Sequence, residues 1–97
     1  MLYTIIWSPL ARTTYYQILD YLNEEWTFRE IENFIDRTEE ALTHISQNPL
    51  LYMYSKENDT YKCVLVKQVN LFYRLKSERV ELLIFWNNYQ DPSKLVL

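Results

Sequence analysis

Apolar residues recur along this chain in two different rhythms, and the change of rhythm divides it. Leu2 to Trp7 is a bulky, β-branched run that predicts a first strand, closed by Ser8-Pro9. Ser8 can cap free backbone N–H groups and Pro9 suits a first helical turn, so a helix starts here. Ala11, Tyr15, Ile18, Leu19 and Leu22 follow at helical spacing, a stripe that faces a core, and the helix stops near Asn23-Glu24-Glu25. Thr27-Phe28-Arg29-Glu30 has the pattern of a capping box and opens a second helix. Its stripe is Ile31, Phe34, Ile35, Thr38, Leu42 and Ile45, and Asn48-Pro49 ends it. Leu50 to Thr60 reads as a loop, with Tyr52, Met53 and Tyr54 as anchors. The period then shortens. Tyr61–Val66, Val69–Leu75 and Val80–Trp86 are three strands separated by Lys67-Gln68 and by Lys76-Ser77-Glu78-Arg79.

Gaps that short join antiparallel neighbours, because a parallel return needs a dozen or more residues. The last three strands therefore form a meander, and the two helices, tightly connected, form a hairpin. One apolar stripe per helix covers one sheet face. The expected fold is α+β: a single domain over residues 1–97, two layers in the order β-α-α-β-β-β. It carries a mainly antiparallel twisted sheet with the helical hairpin on one face. The first strand joins at an edge, its partner left open by the pattern. Leu82 to Trp86 is unbroken and apolar, as a central strand buried on both faces requires. On the middle strand Phe72, Arg74 and Lys76 share the face opposite Leu71, Tyr73 and Leu75. With Leu83 and Phe85 nearby, that face would present an apolar patch for a protein partner to cover.

Composition narrows the classes. The 97 residues include no glycine, which excludes P-loops and dinucleotide fingerprints and makes the hairpins turn on Asn, Ser or Lys-Gln. The single Cys63 offers no internal disulfide, and no Cys/His cluster suggests a zinc site, so neither cofactor nor metal is expected. No run is long enough to cross a membrane, no leader is recognisable, and the cytoplasm is the expected location. The net charge of −3 hides an asymmetry: residues 1–60 carry −6 and residues 61–97 carry +3. The basic sheet is suited to an acidic partner or a phosphate.

Candidate chemistry is sparse. Arg74 can present a bidentate fork to a phosphate or carboxylate, or else pair with Glu81 across the hairpin. His44 stands beside the apolar stripe with no catalytic companion and reads as a surface residue; Cys63 reads as a small strand hydrophobe. Trp7, Tyr15, Phe34 and Trp86 read as core.

Trp7-Ser8-Pro9-Leu10-Ala11, Asn48-Pro49, Tyr61-Lys62, Leu71-Phe72-Tyr73-Arg74, Leu83-Ile84-Phe85-Trp86-Asn87-Asn88 and Gln90-Asp91-Pro92-Ser93-Lys94-Leu95 occur in an order and spacing that resemble the RelE/ParE toxin superfamily of bacterial type II toxin–antitoxin systems. The resemblance spans nearly the whole chain. It implies a small toxin held inactive by a cognate antitoxin. Some family members are ribosome-dependent messenger-RNA endonucleases; others poison DNA gyrase. By this resemblance Lys62 falls at a second-strand lysine of the nuclease branch, Arg74 matches a Tyr-Arg of the wider family, and Tyr89 is the hydroxyl near the C-terminus. Arg74, Lys62 and Tyr89 are thus the candidate catalytic residues. Val64 and Asn87-Asn88 stand where that branch often has further basic residues or a histidine. Those departures direct the expectation to a ParE-like toxin, gyrase-directed or otherwise non-nucleolytic. The alternatives are a ribosome-dependent messenger-RNA endoribonuclease with a degenerate site and an inactive antitoxin-binding relic.

Overall fold

A computed structural model describes residues 2–97. The chain runs β1 (Thr4–Trp7), α1 (Pro9–Glu25), α2 (Phe28–Gln47), a 3₁₀ turn (Pro49–Leu51), β2 (Met53–Ser55), β3 (Thr60–Val66), β4 (Val69–Lys76), β5 (Arg79–Asn87) and a second 3₁₀ turn (Pro92–Lys94). Both helix starts follow from their caps. Ser8 Oγ accepts from Ala11 N–H at 2.9 Å with Pro9 in the first turn, and Thr27 and Glu30 satisfy each other's backbone N–H groups reciprocally.

The five strands lie in the order β1-β5-β4-β3-β2. The β3–β4–β5 meander is antiparallel, as expected, but β1 pairs with β5 in parallel, from Thr4 opposite Arg79 to Trp7 opposite Leu82. The two helices supply the long crossover that a parallel pair needs. The expected loop from Leu50 to Thr60 also holds a strand, since Met53–Ser55 pairs with Thr60–Lys62 at the far edge. So short a strand leaves almost no periodic signal.

Both helices pack on one sheet face. Ala11, Ile18 and Leu22 of α1 and Phe34, Ala41 and Ile45 of α2 are buried there against Cys63, Leu65, Leu71, Tyr73, Val80, Leu82 and Phe85. Trp7, Tyr15, Phe34 and Phe85 form a chain of ring contacts through this core, with centroids 5.0–5.7 Å apart. Tyr73 is completely buried, and its hydroxyl donates to the Pro49 carbonyl at 2.6 Å, tying the end of α2 to the middle of the sheet.

β5 carries an extra residue. Phe72 lies opposite Ile84 and Tyr73 opposite Leu82, so Leu83 is a bulge. A bulge inverts the alternation beyond it. Ile84 and Trp86, not Leu83 and Phe85, therefore share the open face with Phe72, which corrects the simple alternation. The outer edge of β5 beyond the end of β1 is completed by hydroxyls from the start of α1. Ser8 Oγ donates to the Leu83 carbonyl at 3.1 Å, and Thr14 Oγ1 accepts from Phe85 N–H at 3.0 Å. Every backbone group needs a partner when water is excluded, and here two side chains serve in place of a sixth strand.

The open face is not bare either. Leu95 and Leu97 fold back over Phe72, Ile84 and Trp86, each of which is less than 10% exposed. The apolar patch expected to await a partner is thus covered in large part by the chain's own tail. Trp86 belongs to this second cluster and not to the main core.

Candidate functional site

The open face is built by register. Lys62 lies opposite Phe72, Phe72 opposite Ile84, Asn70 opposite Trp86 and Arg74 opposite Glu81, and directly opposed residues share a face. Between β2 and the folded-back tail this face sinks into a groove of 390 Å³. Phe72 and Trp86 lie at its base. Tyr54, Ser55 and Asn58 line one side and Pro92, Leu95 and Leu97 the other, while Lys62, Asn70 and Asn88 supply polar groups.

The asparagines are organised. Asn70 Nδ2 donates to Asn88 Oδ1 at 3.2 Å, and Asn88 Nδ2 donates to the Lys67 carbonyl at 3.3 Å. Asn88 is also pinned through its backbone, its N–H donating to the Gln68 carbonyl at 2.7 Å. The two amides hold each other in fixed orientations beside Lys62. Lys62 and Tyr54 are the titratable side chains lining the groove. The Tyr54 hydroxyl donates to Asp59 Oδ1 at 2.7 Å, and that bond to a carboxylate pushes its pKa above the ordinary tyrosine value. Tyr54 therefore keeps its proton at neutral pH.

The three residues chosen from sequence occupy three places. Lys62 is in the groove. Arg74 is on the same face but turned toward the β2–β3 connection, where Nε donates to the Asp59 carbonyl at 3.1 Å and Nη2 to the Asn58 carbonyl at 3.0 Å. Its register partner Glu81 is ion-paired instead with Lys76, at 3.5 Å. Tyr89 lies past the end of β5 and is 70% exposed. It lines a separate slot of 330 Å³ with Gln17 and Tyr21 of α1. Lys62 and Tyr89 line different cavities. His44 is exposed and Cys63 buried beneath the sheet, the latter with its thiol pushed up from 9.0 to about 11 by burial.

Sequence reasoning placed Phe72 on this face but did not single out Asn70 and Trp86 as groove residues. Alternation along β4 places Asn70 beside Phe72 and Arg74, so that signal was present. Trp86 was hidden by the bulge, and the tail by its lack of any periodicity. Among the described residues no three His, Cys, Asp or Glu side chains gather to hold a metal ion, and no helix is long and apolar enough to cross a membrane.

The α+β fold, with its helical hairpin on one sheet face and the groove on the other, is shared with solved structures. The chain is similar in structure to a YoeB dimer from Staphylococcus aureus, with TM-score 0.58 and 15% identity over 87% of this chain and 94% of that one. It is similar also to a YoeB–YefM complex from Staphylococcus aureus, with TM-score 0.57 and 15% identity over 88% and 95%. At that identity the likeness is one of fold, and the fold is the α+β arrangement expected from the sequence. No family profile and no curated protein matches the sequence.

Proposed function

We propose that this chain is the toxin of a type II toxin–antitoxin module, neutralised by a cognate antitoxin in the cytoplasm. We further propose that it acts by binding its target, as a ParE-like, gyrase-directed or otherwise non-nucleolytic toxin. The observation that carries the second part is the make-up of the groove. Metal-free cleavage of RNA needs a general base, a general acid and cations around the developing charge. The groove offers one ammonium, the bonded amides of Asn70 and Asn88, a third amide from Asn58, the hydroxyls of Ser55 and Thr60, and a tyrosine that holds its proton more firmly than usual. Arg74 is engaged elsewhere, and Tyr89 belongs to another cavity. A cation, oriented amides and two aromatic surfaces suit recognition. A sequence pI of about 5.1 is also poorly matched to a ribosomal surface dense in phosphate.

The fold shared with YoeB, which has been seen bound to YefM, supports an antitoxin as partner. Met53 and Val64, 67% and 58% exposed beside Lys62, remain for it to cover. The test induces the chain in cells and compares transcript integrity with DNA supercoiling and double-strand breaks. Intact transcripts with damaged DNA are expected, as is co-elution with the product of the neighbouring open reading frame. Ribosome-dependent transcript cuts that vanish in Lys62→Ala would overturn the binding mechanism in favour of an endoribonuclease. Normal growth with retained partner binding would identify an inactive relic.

A further inference from the structure

We infer that Arg74 is a positioning residue: it sets one wall of the groove by fastening the β2–β3 turn to β4, and its charge is not what meets the target. This rests on the reading of the groove as the binding site. β2 pairs with β3 through only Met53, Tyr54 and Ser55. An edge strand of that length has little stability of its own. The turn that follows passes through Asp59 at φ +51°, a left-handed conformation that costs a non-glycine residue energy and persists only where the surroundings impose it.

Two contacts impose it. From β2, the Tyr54 hydroxyl holds the Asp59 carboxylate; from β4, the Arg74 fork holds the carbonyls of Asn58 and Asp59. The residues so fixed, Tyr54, Ser55 and Asn58, line the groove opposite the tail. The two acceptors sit side by side along the backbone, and a planar guanidinium spans them where a single ammonium point does not. Arg74 therefore acts on the groove through the turn.

The first arm of the test needs only the chain itself. Hydrogen exchange of the backbone amides from Ser55 to Thr60 is expected to quicken about tenfold in Arg74→Ala, with β4 and β5 unchanged, since the loss is local. Arg74→Lys keeps the charge but not the fork and is expected to exchange nearly as fast as the alanine variant. Unchanged exchange in Arg74→Ala, or full rescue by lysine, overturns the inference. The second arm titrates the purified product of the neighbouring open reading frame at several salt concentrations. Arg74→Ala is expected to weaken binding at every salt with the wild-type slope, whereas Lys62→Ala flattens the slope. A flattened slope in Arg74→Ala assigns it a direct charge contact and overturns positioning. If wild-type chain binds nothing, the antitoxin reading fails, while the exchange arm still decides whether Arg74 sets the wall.

Discussion

Replacing Tyr73 by phenylalanine removes one oxygen from the centre of the molecule, and its effect is expected to depend on pH in a characteristic way. The hydroxyl donates to the Pro49 carbonyl at 2.6 Å, and the tyrosine has no accessible surface. Without it that carbonyl loses its partner, at a cost of about 1–3 kcal/mol near pH 7. A change of 1 kcal/mol moves the midpoint of a domain this size by roughly 4–8 °C, so a drop on the order of 10 °C is expected. At high pH the comparison changes. Burial, with smaller contributions from Cys63, Tyr52 and Tyr61, raises the Tyr73 pKa far above its ordinary value of 10.0. The unfolded chain then gives up this proton above pH 10 while the folded chain keeps it. The folded state binds more protons, and stability falls with rising pH by about 1.4 kcal/mol per unit for this group. Tyr73→Phe has no such proton to lose. Urea unfolding at steps from pH 7 to 11.5 should therefore show a gap that is constant up to about pH 10 and closes above it. A gap that stays constant to pH 11.5 would refute the argument, because it would mean that the folded state ionises Tyr73 as easily as the unfolded one. A gap below ~0.5 kcal/mol at pH 7 would refute the Pro49 bond as a stabilising contact.

Two further outcomes follow from the same reasoning. Thr27→Ala should destabilise the fold by about 1 kcal/mol, because it undoes the reciprocal cap with Glu30; Glu30→Ala combined with it should add little if the two act as one unit, which a double-mutant cycle in urea reads directly. Cys63, buried with its thiol pushed up to about 11, should resist a thiol reagent at pH 8 in native buffer and react fully in denaturant; prompt native reaction would contradict its burial.

Much of the fold was legible because it is written in local terms. Ser8-Pro9, the Thr27–Glu30 box and Asn48-Pro49 mark helix ends by chemistry that acts within a turn or two; both helices begin at such a mark and α2 ends at one. The meander was legible from its short gaps. The glycine-free turns were foreseen too, and Ser77 at φ +55° now occupies the position that glycine usually takes. What escaped depends on distant partners. The parallel pairing of β1 depends on where the helical crossover delivers the chain. The bulge at Leu83 has no signature in an unbroken apolar run. The tail covers the open face by contacts made between residues more than ten positions apart, such as Leu97 and Trp86. The candidate site suffered most, because Lys62, Arg74 and Tyr89 were chosen by type and position, and only geometry separates them into groove, turn and slot.

The pairing of β1 with β5 has a consequence for how the molecule comes into being. Thr4, near the start of the chain, finds its ladder partner at Arg79, near the other end. The apolar stripe of α1 likewise rests largely on β5. β1 and α1 therefore lack their main packing surface until β5 has been made. Closing so long a loop is an entropic cost that local contacts cannot offset in advance, so folding should be slow for the size of the domain and all-or-none in character. A nascent chain halted before Arg79 would hold α1 without the strand that covers most of its apolar face. Such a fragment should be a client for chaperones or proteases, and the groove should appear only with the completed molecule.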